Sequence, residues 1–410
     1  MPELFTLLSP QEAYQRLEGR LLPIKGGEKL PSYKALGRVV AQDIFAPIDL
    51  PSFPRSAMDG YAVRAEDTYG ASEALPAYLK VVGEIPMGCV AGIKLSPGEA
   101  ALVHTGSMLP EGANAVVMVE NTQEVDTSTI EIIRPVAVGE NILQVGEEIH
   151  KGELLFPRGH KLRPQDIGEL LALGITEVIL FQQPRVAIIS TGDELVPPEE
   201  EPKPGQIRNT NTYTLSALTG QAGGIPLSLG IIRDDYQALK EAVERGLREA
   251  DIVVISAGSS VSSRDMTAQV INSLGKADIL AHGVAIKPGK PTILAIIKGK
   301  PVFGLPGNPA SAMLIFDLFV APTIYKLGGC NSPPRRYTLQ ARLAHNIPSQ
   351  SGREDHVPVR LEERGGELWA IPIFGKSNLI STLVKADGMA QVPLDKAGLS
   401  AGEMVTVRLF

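Results

Sequence analysis

Two lysines flank a Pro-Gly pair in Lys287-Pro288-Gly289-Lys290, inside the stretch 283–294 (GVAIKPGKPTIL). Cations leaving both sides of a tight bend make a compact clamp for phosphate or another oxyanion, although two solvated turn lysines would read the same. The stretch is not a Walker-type loop. Five residues separate Gly283 from Gly289, and Pro291 stands where a magnesium-binding Ser or Thr belongs. A second stretch, 256–265 (SAGSSVSSRD), follows the short β-branched run 251–255. Small residues such as Ser256, Gly258 and Ser260 leave backbone N–H groups uncovered, which suits an anion; a plain surface loop has the same composition. Thr191-Gly192-Asp193-Glu194 and 306–311 are further small-residue loops after apolar runs. The second sets Gly307, Asn308 and Ser311 around Pro309 at a helix start, where free N–H groups and the positive dipole end can meet a ligand. Glu194, Asp234 and Asp265 close predicted strands or loops, and carboxylates gathered at one edge suit a hard cation such as Mg2+. Asp265 would equally cap the next helix, and Asp59-Gly60 alone reads as a hairpin corner.

The elements that must position these groups alternate. Strands are expected over 185–190, 227–232, 252–256, 291–297 and 301–305, with helices over 212–219, 236–248, 266–274 and 310–325. Such alternation predicts a mostly parallel sheet with helices on both faces, and ligands then sit beyond the carboxyl ends of its strands. Short β-like runs fill 53–140 and return over 333–410. Ser9, Pro10 and Glu12 mark a capped helix start, and Arg163-Pro164 opens another helix that could pack back on it. The expected class is multidomain α/β plus β. A discontinuous linking domain (1–52 and 141–182) surrounds a small β domain (53–140), then come an α/β domain (183–328) and a C-terminal β domain (333–410).

The chain has 410 residues, 44% apolar and 21% charged, with a formal net charge of −7. That acidic balance, without a basic tract, argues against nucleic-acid binding. Two cysteines, Cys89 and Cys330, exclude a disulfide framework and a cysteine-based zinc site. The N-terminal MPELFTLLSP carries no signal-peptide pattern, and no run approaches the roughly 18 apolar residues of a membrane span. A cytoplasmic protein without a membrane partner is expected.

The stretches SAMDGYAV, MGCVAG, HTGSMLPEGANAVVMVE, GEEI, STGDELV, GQIRNTN, GIIRDD, the Ser-rich loop, VAIKPGKP and GLPGNPASA follow one another along the chain. Together they resemble the molybdenum insertase family (molybdopterin molybdenumtransferase: bacterial MoeA proteins and the E domain of gephyrin). The resemblance implies an elongated homodimer that converts adenylylated molybdopterin and molybdate to molybdenum cofactor and AMP, assisted by Mg2+. It implies functional positions at Asp59 and Thr105 in the β domain and at Glu194, Asp234 and Asp265 in the α/β domain, with Asp59 and Asp265 as metal ligands. The Ser-rich loop would hold the pterin phosphate or its AMP ester, and Lys287 opens the family's Lys-Pro-Gly-Lys turn. Molybdoenzymes or their chaperones would receive the product. The chain departs from the family pattern by Ala257 and Ser262 where glycines are common, Gly283 for a lysine, Leu143 for an arginine and Glu148 for an aspartate; Arg264 adds a charge that could contact phosphate. A less cationic pocket leaves molybdate and tungstate both open as the oxyanion. An adenylylating enzyme sharing only the α/β domain is disfavoured by Asp59 and Thr105, and a molybdopterin-binding scaffold without turnover remains the other alternative.

Overall fold

The structure, a computed structural model, describes residues 7–257, 261–275, 277–334 and 337–410. In the α/β part a six-stranded sheet forms in the spatial order Ile225–Ile232, Arg185–Thr191, Ile252–Ala257, Lys300–Pro306, Ile293–Ile297, Asp278–His282. The first four run parallel, and the last two join antiparallel. Every residue of Ile252–Ala257 is buried, as a β-branched strand covered on both faces should be. Leu215, Phe316, Phe319 and Ile324 cover one face of the sheet, and Leu239, Val243, Val270 and Ile271 cover the other. The strand Asp278–His282 is an addition to the expected set, because its polar ends disguise the apolar middle.

Ser9 caps the helix Pro10–Glu18 through the expected box, with Glu12 N–H donating to Ser9 Oγ and Ser9 N–H to Glu12 Oε2. This helix lies in the α/β core, where Ala13 and Leu17 join the first face, rather than against the helix Pro164–Ala172. The segment returning to the α/β part is met by a strand pair instead, Gly27–Pro31 against Glu177–Phe181.

The long helix of the α/β part is built in three pieces: Pro309–Ile315, a π-turn over Phe316–Val320, and Ala321–Leu327. Pro322 has no N–H to donate, and its ring crowds the carbonyl four residues earlier; the widened turn just ahead absorbs both effects. By length and composition Pro309–Leu327 passes as a membrane span, against the expectation of none, but 67% of its 18-residue apolar stretch is buried in the protein's own core.

Beyond residue 337 five strands close on themselves in the order Glu354–Arg364, Glu367–Pro372, Thr338–Leu343, Met404–Leu409, Gly388–Val392 and back to the first. Closure leaves this small barrel no free seam, and Val359, Ala370, Val392 and Val407 fill it. A two-residue strand, Ile286–Lys287, adds in parallel to the start of Glu354–Arg364.

The chain divides into two compact units: Met1–Gln42 with Arg158–Ile167 and Glu177–Phe410, and Asp43–Pro157 with Gly168–Thr176. The second unit carries a six-stranded sheet of Ala115–Met118, Gly60–Val63, Glu99–Val103, Ala77–Ile85, Thr129–Ile132 and Thr122–Asp126, in that order. Strand alternation divides its core: Tyr61, Val63 and Val117 face one side with Ile130 and Ile132, while Ala62, Val103 and Val116 face the other with Ile85.

Candidate functional site

Parallel strands bring their carboxyl ends to one edge, and the polar loops emerge there. Asn211, the first residue of the helix Asn211–Gln221, donates through Nδ2 to Ser256 Oγ and to the carbonyl of Gly307, both at 2.8 Å. One amide thus ties the Ser-rich loop to the loop before Pro309. Beneath it Thr212 Oγ1 lies 2.8 Å from Ser190 Oγ and accepts from Asn209 Nδ2, also at 2.8 Å. Among the described residues, the buried Thr191 Oγ1 and Asn211 Oδ1 have no hydrogen-bond partner. Buried oxygens left unpaired are costly unless a donor-bearing ligand meets them. Asn209 and Asn211 were visible in sequence only as part of GQIRNTN, and Thr212 only as the start of the expected helix 212–219. Their signal was three amide and hydroxyl side chains at a helix start that takes no side-chain cap.

The acidic residues at this edge are less gathered than expected. Asp234 N–H donates to Asp193 Oδ1 at 3.3 Å, and the carboxylate of Glu194 folds over Gly192, where an added Cβ would lie 2.5 Å from Glu194 Oε2. Asp193, Asn209, Thr212, Tyr213 and Arg233 line a cleft of about 550 Å³ beside them. Asp265 needs correction. It neither ends a loop nor caps a helix, but is the fifth residue of the helix Val261–Ser273 and is exposed. Val270 and Ile271 anchor that helix in the core, and packing carries it back through residues of modest helix propensity. Gly258 and Ser260 lie outside the described residues; of Arg264 only the helical backbone is described.

The lysine clamp meets groups that sequence reading missed. Lys287 and Lys290 line a cavity of about 680 Å³ together with Arg353, Asp355, Lys376 and Ser377. Gly289 is required in the bend: its φ is +119°, and a Cβ there would lie 2.6 Å from Ile315 Cδ1. Pairing of Lys287 with Asp355 on the added strand brings the barrel to the clamp. Asp355 is buried, accepts from Arg353 Nε at 2.8 Å and Nη2 at 3.2 Å, and lies 3.7 Å from Lys287 Nζ. Asn308 Nδ2 donates to Ser377 Oγ at 2.9 Å, and Ala310 N–H to the Ser377 carbonyl at 3.2 Å, fixing the helix start against the segment bearing Lys376. Ser311 lines the same cavity, whereas Gly307 contributes its carbonyl to Asn211. Four cationic side chains around a cavity, with one buried carboxylate among them, make a site for an anion with several oxygens. At the neighbouring departure, Gly283 has φ +96° and lies under Leu7, a place where a lysine would be strained.

In the second unit Asp59 and Thr105 do come together across a sequence gap of 46 residues. Thr105 N–H donates to Asp59 Oδ1 at 2.7 Å and Thr105 Oγ1 donates to the same oxygen at 3.1 Å. These donors, backbone first, hold the Asp59 carboxyl below the usual carboxylate range, with a smaller contribution from His104. Gly60 permits the corner: a Cβ there would fall 2.0 Å from the Val117 carbonyl oxygen.

Among the described residues no three His, Cys, Asp or Glu side chains converge as a metal site. The carboxylates present fit a cation such as Mg2+ only in the way that cation is commonly held, by one or two carboxylates plus the oxygens of a bound phosphate.

Polar loops on the carboxyl edge of an α/β sheet and a cationic cavity against a barrel define a multidomain protein built for anionic, phosphate-bearing ligands. Comparison with known proteins makes that particular. Residues 8–174 match the MoeA N-terminal region (domain I and II), 187–326 the family described as "Probable molybdopterin binding domain", and 340–410 the MoeA C-terminal region (domain IV). A molybdopterin molybdenumtransferase of Nostoc sp. is 36% identical, covering 92% of this chain and 87% of its own length. Two solved structures of the molybdopterin biosynthesis MoeA protein from Pyrococcus horikoshii superpose with TM-scores of 0.85 and 0.81, at 37% and 40% identity. They cover 99% and 98% of this chain and 100% and 99% of their own. The chain belongs to the MoeA family of molybdenum cofactor biosynthesis, which includes curated molybdopterin molybdenumtransferases, and is a transferase of that kind.

Proposed function

We propose that the chain inserts molybdenum from molybdate into adenylylated molybdopterin, releasing AMP. The observation that carries this reading is the cavity of about 680 Å³ between the Lys287–Lys290 bend and the barrel, with Arg353, Lys376 and Ser377 facing it. Molybdate, as substrate, is a tetrahedral dianion, and lysine, arginine and hydroxyl donors on several sides suit its oxygens. The pterin phosphate and its AMP ester belong to the neighbouring edge, where Ser256 meets the helix that begins at Asn211. Asn211 ties Ser256 to the Gly307 carbonyl, and Glu194, Asp234 and Asp265 offer carboxylates to Mg2+. When bound, Mg2+ would neutralise charge that develops on the phosphate oxygens. In the second unit Asp59 and Thr105 offer an ionised acceptor and a hydroxyl donor. We read the protein as a cytoplasmic homodimer, with the domain borders drawn from the sequence, passing its product to molybdoenzymes or their chaperones.

The test is incubation of the purified protein with adenylylated molybdopterin, Mg2+ and either molybdate or tungstate, following AMP release. Release with molybdate supports the reading, release with tungstate alone changes the oxyanion, and binding of the pterin without any release leaves a scaffold. Lys287→Ala should weaken the apparent affinity for molybdate about tenfold, as loss of one charge-assisted contact does, with folding unchanged. Unaltered turnover at limiting molybdate would count against the clamp.

A further inference from the structure

His356 is 5% exposed and lines the same cavity, yet nothing so far gives it a task. On the strand Glu354–Arg364, Val357 and Val359 pack the barrel core, so alternation turns Glu354, His356 and Pro358 to the outer face. That face is directed to the α/β part: Met389, paired with Pro358, packs on Ala310 and Leu383. His356 Nε2 lies 2.6 Å from Glu354 Oε1. Its Nδ1 is buried and, among the described residues, has no hydrogen-bond partner.

The chemistry of this pair is asymmetric. Burial alone would raise the Glu354 carboxyl, but the hydrogen bond from His356, then the charge of that ring when it is protonated and a hydrogen bond from Gln391, outweigh it and hold the carboxyl below its ordinary value. The imidazole therefore donates from Nε2, and Nδ1 is the atom left to change, a lone pair in the neutral ring and an N–H donor in the charged one. The charged groups around it are Glu354 and Asp355 of its own strand, Arg353 just before that strand, Lys287 and Lys290 of the facing bend, and Lys376 of the segment before Ser377. The adjoining barrel strand offers the uncharged Met389 and Gln391, and the helix Pro309–Ile315 has no charged residue. A neutral Nδ1 could only accept from one of these cations, and none of them reaches it among the described residues, whereas a protonated Nδ1 needs an acceptor, and an oxyanion entering the cavity supplies one.

We propose that His356 is an oxyanion-contacting residue of this cavity, taking a proton from solvent at Nδ1 as the anion enters and donating that N–H to one of its oxygens. The proposal rests on the reading that molybdate occupies this cavity. Because the bound state favours the charged ring, affinity is greater at low pH and falls as pH rises.

Calorimetric titration of the full chain with sodium molybdate, from about pH 6 to about pH 8.5 in two buffers of different ionisation enthalpy, counts the protons taken up. The wild type should take up a fraction of a proton at the acid end and approach one per molybdate at the alkaline end. Its affinity should fall by up to about tenfold per pH unit there, the limit for one linked proton. In His356→Gln the amide keeps the contact to Glu354 but has no group at the Nδ1 position, so uptake and pH dependence should both disappear. Glu354→Gln removes the carboxylate that favours the charged ring, and should move the fall in affinity to lower pH. Absence of proton uptake in the wild type, or equal uptake in His356→Gln, would overturn the proposal. If His356→Gln does not fold, an unshifted profile in Glu354→Gln overturns it instead. Lys287→Ala and Arg353→Ala report separately on the cavity: molybdate binding that ignores both refutes the site, and the role of His356 falls with it. Binding lost in those variants, with uptake lost only in His356→Gln, supports both statements.

Discussion

Two carboxylates at candidate positions are held in opposite ways. Asp59 is exposed, and its charge is kept by two donors from one residue, Thr105. Asp355 is buried, and its charge is shared between Arg353 and Lys287. At the Asp59 corner water can replace any lost partner, so the contacts set direction more than strength. In the cavity near Asp355 removal of one ion leaves others uncompensated. An exposed carboxylate can thus be spared for a ligand, whereas a buried one keeps neighbouring cations tolerable to the fold.

Gly60→Ala should break the first arrangement most severely. The added Cβ would overlap the Val117 carbonyl, a backbone atom of a paired strand, so the strands must part. A loss of about 3 kcal/mol is expected from such overpacking, measurable by urea denaturation. Asp355→Asn breaks the second and should separate stability from binding. Stability should fall by about 2 kcal/mol, less than for a fully buried pair because the side chains of Arg353 and Lys287 are 32% and 58% exposed. Molybdate affinity, by contrast, should rise up to about tenfold as the two cations lose their internal partner. A fall in both would show that Asp355 positions the cations rather than competing for them.

The smallest effect on stability sharpens the contrast through pH. Thr105 depresses the Asp59 carboxyl in the folded chain, so its stabilisation is present above the unfolded carboxylate value of about 3.9 and is lost as pH falls through the lower folded value. The difference in melting temperature between wild type and Asp59→Asn should be constant from neutral pH down to about pH 5 and shrink as pH falls below the unfolded value of about 3.9. A difference that persists at the acid end would mean that the neutral hydrogen bonds alone carry it.

Much of the α/β part was legible because its signals are local. The run 251–255 reads as a buried strand by itself, the capping box of Ser9 and Glu12 lies within one turn, and the Lys-Pro-Gly-Lys bend is contiguous. Arg353, Asp355 and His356 were not legible as partners of Lys287. Their strand follows some 65 residues later, and a parallel pairing of two residues leaves no periodic trace. The meeting of Asp59 and Thr105 spans 46 residues and came from resemblance alone. Asp265 was misplaced for the reverse reason: local propensity put the helix start late, and the burial of Val270 and Ile271 overrode it.

The two-residue strand at Ile286 gives the clamp a mechanical property. Lys287 leaves from a backbone stitched to the barrel, with Glu354 N–H donating to the Ala285 carbonyl at 2.8 Å. Lys290 leaves from the other side of the bend, where its carbonyl accepts from Val284 N–H and the Gly289 carbonyl accepts from the buried Thr292 hydroxyl. Lys287 is therefore braced against the barrel strand and Lys290 within the bend itself. A substitution that loosens the pairing of Ile286–Lys287 with Glu354–Asp355 would free one jaw and leave the other held, retuning the grip from a distance.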